Sequence, residues 1–349
     1  PGAPPPPASR LPAPTPPPVL QAEVVFQVDI PRNTPDNPEI YIDLLDEITG
    51  LAINPRHYLL EEIADFQFAT RISIPIGSLV KYRYGREGNP PAIEFTPNNK
   101  QVRYRLLKVS GPVIAKDVIS AWTDFPYKEK FGRIGGKVTD AASNAPLPNI
   151  MVAAGGAHTF TSSTGDFLIE GVPEGTHRIV AYCLDGAYDV FQQGATVAVN
   201  SVTPANIKLN KSPTVKVTFS VTAPQGSIRG IPMRLIGNTY ALGNTFSDLS
   251  GGLSTVAARA PLMTMQNDGS YTLTLDLPVG LDLRYKYSLG DGFWNSEIST
   301  NGAFRVRQLI VPGKETVIRD SIDTWTTPNY APIQFTVKVP SNTPGTYTI

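Results

Sequence analysis

The sequence predicts an all-β chain of three consecutive β-sandwiches, led by a Pro-rich segment and followed by one extra strand. Three observations predict it. The 349 residues include 34 Pro and 29 Gly, which punctuate turns and are kept out of helix interiors. Between them run short alternating stretches rich in Val, Ile, Thr and Tyr, the pattern of half-buried strands. Long parts of the chain also repeat at one fixed offset. At roughly 100–150 residues per domain, the length suits two or three units.

The repeat sets the organisation. Residues 74–84 read Ile-Pro-Ile-Gly-Ser-Leu-Val-Lys-Tyr-Arg-Tyr, and residues 277–287 read Leu-Pro-Val-Gly-Leu-Asp-Leu-Arg-Tyr-Lys-Tyr. Pro75/Pro278, Gly77/Gly280, Tyr82/Tyr285 and Tyr84/Tyr287 share the offset of 203, as do Glu94/Glu297, Asp117/Asp320, Ile119/Ile322 and Trp122/Trp325. Phe26-Gln-Val-Asp-Ile-Pro, Phe219-Ser-Val-Thr-Ala-Pro and Phe335-Thr-Val-Lys-Val-Pro each read as a first strand that ends at a proline. The expected boundaries are an extended Pro-rich segment at 1–21, module A at 22–126, module B at 131–210, module C at 213–327 and an extra strand within 331–349. Residues 1–20 suit polyproline II, either as a semi-rigid stalk or held by a neighbouring subunit. A lone strand buries no face by itself. The last strand therefore opens a further module or is donated to the sheet edge of another chain. The short linkers predict modules packed end to end. Residues 56–66 allow one short helix.

Module B carries Gly135-Gly-Lys-Val-Thr-Asp, then Ala145-Pro-Leu-Pro-Asn-Ile-Met-Val, then Thr161-Ser-Ser-Thr-Gly-Asp-Phe-Leu-Ile-Glu-Gly-Val-Pro-Glu-Gly-Thr-His-Arg-Ile-Val. Gly165-Asp166 and Pro173-Glu174-Gly175 fit hairpin turns. This order resembles the carboxypeptidase regulatory-like, or transthyretin-like, domains. The resemblance implies a seven-stranded, non-catalytic sandwich.

Module C carries Leu242-Gly-Asn-Thr-Phe, Tyr285-Lys-Tyr, the turn Asp291-Gly292 with Phe293 and Trp294 beyond it, and Asn301. It is similar to the starch-binding domains, the family-20 carbohydrate-binding modules. Taken together, the resemblances imply immunoglobulin-like and prealbumin-like sandwiches throughout. An aromatic ring stacks on the apolar face of a glucose unit, and polar neighbours meet its hydroxyls. The resemblance implies that Trp294 stacks, Phe246 forms a second platform, and Lys286, Asn301 and Asn295 supply hydrogen bonds. The pattern departs from the family's: Phe246 stands for a Trp and Asn295 for a Glu. In module A, Pro91 takes the place of Trp294, so that copy is expected to lack the sugar site. Trp122 and Trp325 are expected to close their sandwiches.

Catalytic chemistry is hard to place. Lys and Arg total 30 and Asp and Glu total 30, so the net charge is zero, and no basic run offers a nucleic-acid footprint. His57, His158 and His177 have neither zinc spacing nor a nucleophile to serve, and His177 reads as a surface or edge residue. Asp43, Asp46 and Glu47 read as a solvated loop, and Glu61-Glu62 as an exposed face. Cys183, the single cysteine, reads as a core residue. No stretch approaches a membrane span, and no cofactor or metal is expected. The sequence therefore predicts a secreted or cell-surface, non-enzymatic protein of a layer, stalk or filament, with itself as the partner through its terminal segments. The alternative is an α-glucan-binding protein acting through module C, as part of a larger starch-active enzyme.

Overall fold

The computed structural model describes residues 20–45, 56–227, 230–243, 260–290, 295–303, 305–327 and 336–342. Their regular elements are strands apart from a 3-10 turn at Tyr240–Leu242. The described residues 336–342 of the expected extra strand form no strand, since no described strand pairs with them. No helix among the described residues is long and apolar enough to cross a membrane.

The first unit contains β1 (Gln21–Asp29), β2 (Ile40–Leu45), β3 (Arg56–Leu59), β4 (Glu61–Ala64), β5 (Gln67–Pro75), β6 (Leu79–Arg86), β7 (Ala92–Phe95), β8 (Arg105–Lys108), β9 (Val113–Val118) and β10 (Ala121–Trp122). One sheet is ordered β4-β5-β1-β9 and the other β10-β7-β6-β2-β3, with β8 also on β6. Alternate residues of β1 point inward, so Val24, Phe26 and Val28 meet Ile40, Ile42, Tyr82 and Tyr84 in one core. Residues 56–66 form β3 and β4 instead of a helix. The free edges of β2 and β5 take up their backbone groups, and Leu60 between them enters the core. Glu61 and Glu62 are exposed, as expected.

The second unit contains β11 (Gly132–Asp140), β12 (Ile150–Ala154), β13 (Ala157–Phe160), β14 (Asp166–Val172), β15 (Gly175–Cys183), β16 (Phe191–Val197), β17 (Val202–Pro204) and β18 (Ile207–Leu209). Its sheets are β14-β11-β17, with β18 also on β11, and β13-β12-β15-β16. β17 and β18 keep one continuous register on β11, so they are halves of a single strand interrupted at Ala205-Asn206. The turns at Gly165 (φ 80°) and Gly175 (φ 123°) are not hairpins. Each carries the chain from one sheet to the other, because both faces of the sandwich must be supplied from one short chain.

Gly136 sits opposite the interruption. A Cβ there would lie 1.9 Å from the Ala205 carbonyl oxygen, a backbone atom that cannot turn aside. Gly136→Ala is therefore expected to cost about 1–3 kcal/mol or more and to loosen β17 and β18 first. Hydrogen exchange of the amides at 202–209 checks this.

The third unit contains β19 (Thr214–Thr222), β20 (Met233–Gly237), β21 (Thr264–Met265), β22 (Tyr271–Pro278), β23 (Asp282–Leu289), β24 (Glu297–Ile298), β25 (Arg307–Ile310), β26 (Thr316–Ser321) and β27 (Thr324–Trp325). Its sheets are β21-β22-β19-β26, β20-β23-β25 and the small pair β24-β27. In all three units the nine-residue first strand pairs antiparallel with one neighbour and parallel with a late strand of the same unit.

The units do not stack end to end. The outer face of the first lies against the outer face of the second, where Leu45, Tyr104 and Leu106 pack on Met151, Ala153, Val180 and Tyr182. That is why β12 is buried along its whole length. On β2 only Leu45 joins this contact, and Tyr41 and Asp43 are covered by His57 and Arg83 of their own unit. The third unit folds back to touch both others. Leu79 N–H donates to Asp282 Oδ2 at 2.9 Å, Gln308 Nε2 to Ser78 Oγ at 2.8 Å, and Lys108 Nζ to the Gly280 carbonyl at 3.4 Å. A cavity of about 350 Å³ lies where the three meet.

Candidate functional site

The offset-203 residues converge on two matching buried clusters. In the first unit, Glu94 is fully buried. It accepts Tyr84 N–H at 2.9 Å and the Arg105 guanidinium at 2.8 and 3.0 Å. The same guanidinium reaches Asp117 at 3.4 Å and the Val118 carbonyl at 2.8 Å. Tyr82 and Tyr84 both donate their hydroxyls to Asp117 Oδ2, at 2.8 and 3.0 Å. Burial, followed by the Asp117 charge, raises both phenols well above their ordinary value, so they remain donors.

The third unit reproduces this bond for bond. Arg307 grips Glu297 at 2.8 and 3.0 Å, Asp320 at 2.8 Å and the Ser321 carbonyl at 2.6 Å. Tyr285 and Tyr287 donate to Asp320 Oδ2 at 2.9 and 2.8 Å, and Tyr287 N–H donates to Glu297 at 3.0 Å. Arginine lies over the second tyrosine ring in both units, at 5.7 and 5.4 Å. The two arginines escape the sequence repeat because their offset is 202, one residue short of the rest. The matching runs Arg105-Leu-Leu and Arg307-Gln-Leu were the available signal.

The two tryptophans are also matched. Trp122 and Trp325 are 1% and 3% exposed, which fits closure of the sandwich. Trp122 Nε1 donates to Thr34 Oγ1 at 2.9 Å, and Trp325 Nε1 to Ser227 Oγ at 2.8 Å. Each hydroxyl in turn bonds the carbonyl of the proline that ends the first strand, Pro31 or Pro224. These clusters pin sheet to sheet. Their carboxylates are engaged by the tyrosine and arginine donors.

Of the expected sugar contacts, Lys286, Asn295 and Asn301 lie among the described residues. Lys286 is fully buried. Burial, opposed by Glu297, pushes its ammonium down to about 8. Its side of β23 is covered. Asn295 is buried too, and its carboxamide oxygen accepts Thr327 N–H at 3.2 Å. Asn301 is exposed, and its oxygen accepts Ala303 N–H at 3.0 Å within its own turn. Trp294, Phe246 and the turn at Asp291-Gly292 lie outside the described residues.

Other expectations change as well. His177 is not at the surface. It is 3% exposed and its Nε2 lies 2.8 Å from the Pro173 carbonyl, so it donates there as a neutral ring. Burial holds His177 below the ordinary imidazole value. The folded state thus binds fewer protons than the unfolded chain. Stability is complete above about pH 6.5 and falls as pH drops through the window from there to the folded value. His177→Gln keeps a donor for Pro173, and its melting temperature is expected to fall less between pH 7 and 5 than that of the parent. Equal slopes for the two would contradict this origin.

Asp43 is buried against His57 at 3.1 Å and Arg83 at 3.4 Å, so it is no solvated loop residue. Asp46 and Glu47 lie outside the described residues. Cys183 is only partly buried. Its thiol, pushed up to about 12 by burial and Asp185, donates to Asp185 at 2.9 Å. Among the described residues no group of three or more His, Cys, Asp or Glu could hold a metal ion.

Residues 133–210 match the family model of the carboxypeptidase regulatory-like domain. No curated protein matches the chain. Solved structures that resemble it include the Bacillus anthracis TIE protein, at 8% identity and TM-score 0.22, covering 87% of this chain and 50% of that one. A streptococcal ancillary pilin matches at 11% identity and TM-score 0.29, covering 86% and 99%. The family 15 glucoamylase of Hypocrea jecorina matches at 22% identity and TM-score 0.25, covering 35% and 20%. The chain thus spans about half the length of the Bacillus anthracis protein. TM-scores of this size set no functional correspondence.

Proposed function

We propose that the chain is a non-catalytic structural subunit of an extracellular, cell-surface layer, stalk or filament that assembles with copies of itself. The observation that carries this reading is where the reactive side chains are spent. Glu94, Arg105, Asp117 and their counterparts Glu297, Arg307 and Asp320 lock sheets together inside two sandwiches. A third sandwich is clamped to the first through an apolar face. Such a body transmits load and positions surfaces. Sedimentation velocity of the purified chain over a hundredfold concentration range tests it. The expected result is a growing population of ordered oligomers; a single monomer boundary throughout contradicts it.

Glucan binding by module C is the weaker reading. Of its three described candidate residues only Asn301 faces solvent, and its carboxamide is engaged locally. Tryptophan fluorescence is expected not to change on titration with maltoheptaose. A saturable change lost in Trp294→Ala would reinstate the sugar site.

A further inference from the structure

The contact between the first and third units obeys an internal pseudo-twofold axis. Matching positions are offset by 203 on β6 and β23, where Gly77 corresponds to Gly280 and Leu79 to Asp282. On β8 and β25 the offset is 202, fixed by the arginine pair, so Lys108 corresponds to Ile310. The in-unit registers agree, since Leu79 pairs with Lys108 and Asp282 with Ile310. Across the contact, Gly77 lies against Ile310, where a Cβ would come within 2.7 Å of the Ile310 side chain. Reciprocally, Lys108 donates to the Gly280 carbonyl at 3.4 Å. Position 77 thus meets the counterpart of 108, and position 108 meets the counterpart of 77. Leu79 meets its own counterpart Asp282 at 2.9 Å, on the axis. This reciprocity is the signature of an isologous interface.

The three contacts between units differ in kind. The first and second units share an apolar cluster of seven buried residues. The third is held to the first mainly by hydrogen bonds, with Ile310 over Gly77, and to the second where Leu281 covers Gly186. Opening the chain at the linker near Pro213 therefore exposes hydrogen-bonding groups that water satisfies, together with Ile310 and Leu281. It leaves one copy of a self-complementary face on each side.

We propose that this face is the assembly contact: the first unit of one chain pairs with the third unit of a second copy, in the geometry the two adopt within one chain. The proposal rests on the self-assembly reading above and names its interface. Each opened chain then offers one face of each kind, so the exchange propagates head to tail into a filament or closes into a ring.

The test uses full-length chains with Cys183→Ser. One carries Ser78→Cys and the other Gln308→Cys, because these side chains touch at 2.8 Å. They are mixed, co-refolded at high concentration, allowed to assemble and oxidised. The expected result is a disulfide between the two chains throughout the assembled fraction. The double variant in one chain, kept dilute, should close internally, which shows that the cysteines are competent. Assemblies that form without the interchain bond overturn the proposal and leave the self-assembly reading standing. No assembly and no interchain bond overturn both. A second readout needs no substitution in the interface. Carbodiimide treatment of assemblies from mixed 14N and 15N chains is expected to join Lys108 and Asp282 peptides of opposite label. Same-label pairs alone contradict the exchange.

Discussion

Arg105→Leu is expected to destabilise the first unit by about 3–5 kcal/mol, the cost of leaving a buried charge without its partner. Glu94 has no exposed surface, so water cannot replace the two guanidinium bonds at 2.8 and 3.0 Å. Asp117 loses a ligand in the same step. Arg307→Leu should cost less, because the Arg307 side chain is 11% exposed against 5% for Arg105, and solvent reaches the orphaned site. The double variant Glu94→Gln/Arg105→Leu should recover a large part of the loss, since the isolated charge, and not the missing pair, carries the penalty. Denaturant midpoints read alongside hydrogen exchange of β6 and β9 separate this unit from the other two. Equal midpoints for Arg105→Leu and the parent would show that the cluster is not what pins the sheets.

Trp122→Ala is the second large effect, at about 3–5 kcal/mol. Trp122 is among the largest fully buried side chains of the first unit, and its ring bridges β10 to the turn after β1 through Thr34. Trp122→Phe keeps most of the volume and loses that bond, so it should cost visibly less than the alanine. Thr34→Ala should reproduce only the hydrogen-bond part, about 0.5–1.5 kcal/mol. If phenylalanine and alanine cost the same, the filled volume of the ring is not what holds the sandwich closed.

The all-β architecture was legible because strands and turns announce themselves locally: β1 and β19 alternate as written, and Gly165 and Gly175 stand where φ is positive. The matched tyrosines, glutamates, aspartates and tryptophans could be read off one offset. Arg105 and Arg307 could not, because a one-residue shift before β8 takes them out of that register.

What lies outside each sandwich was less legible. Alternation predicts which residues leave the core but not whether the outside is water. Lys286 alternates with Tyr285 and Tyr287 and reads as exposed, yet its side is covered. His177 departs from expectation in the same way, on a strand whose preceding turn packs it against Pro173. The continuous apolar run Ile150-Met-Val-Ala-Ala was a local hint of a strand covered on both faces. It marks the side-by-side contact that short linkers alone suggested would be end to end.

Negative-stain electron microscopy of the purified full-length chain, across concentrations, tests the central claim of self-assembly most directly. Ordered filaments, rings or sheets whose repeating unit is a compact three-lobed body are the expected result. Dispersed single particles at every concentration would contradict it.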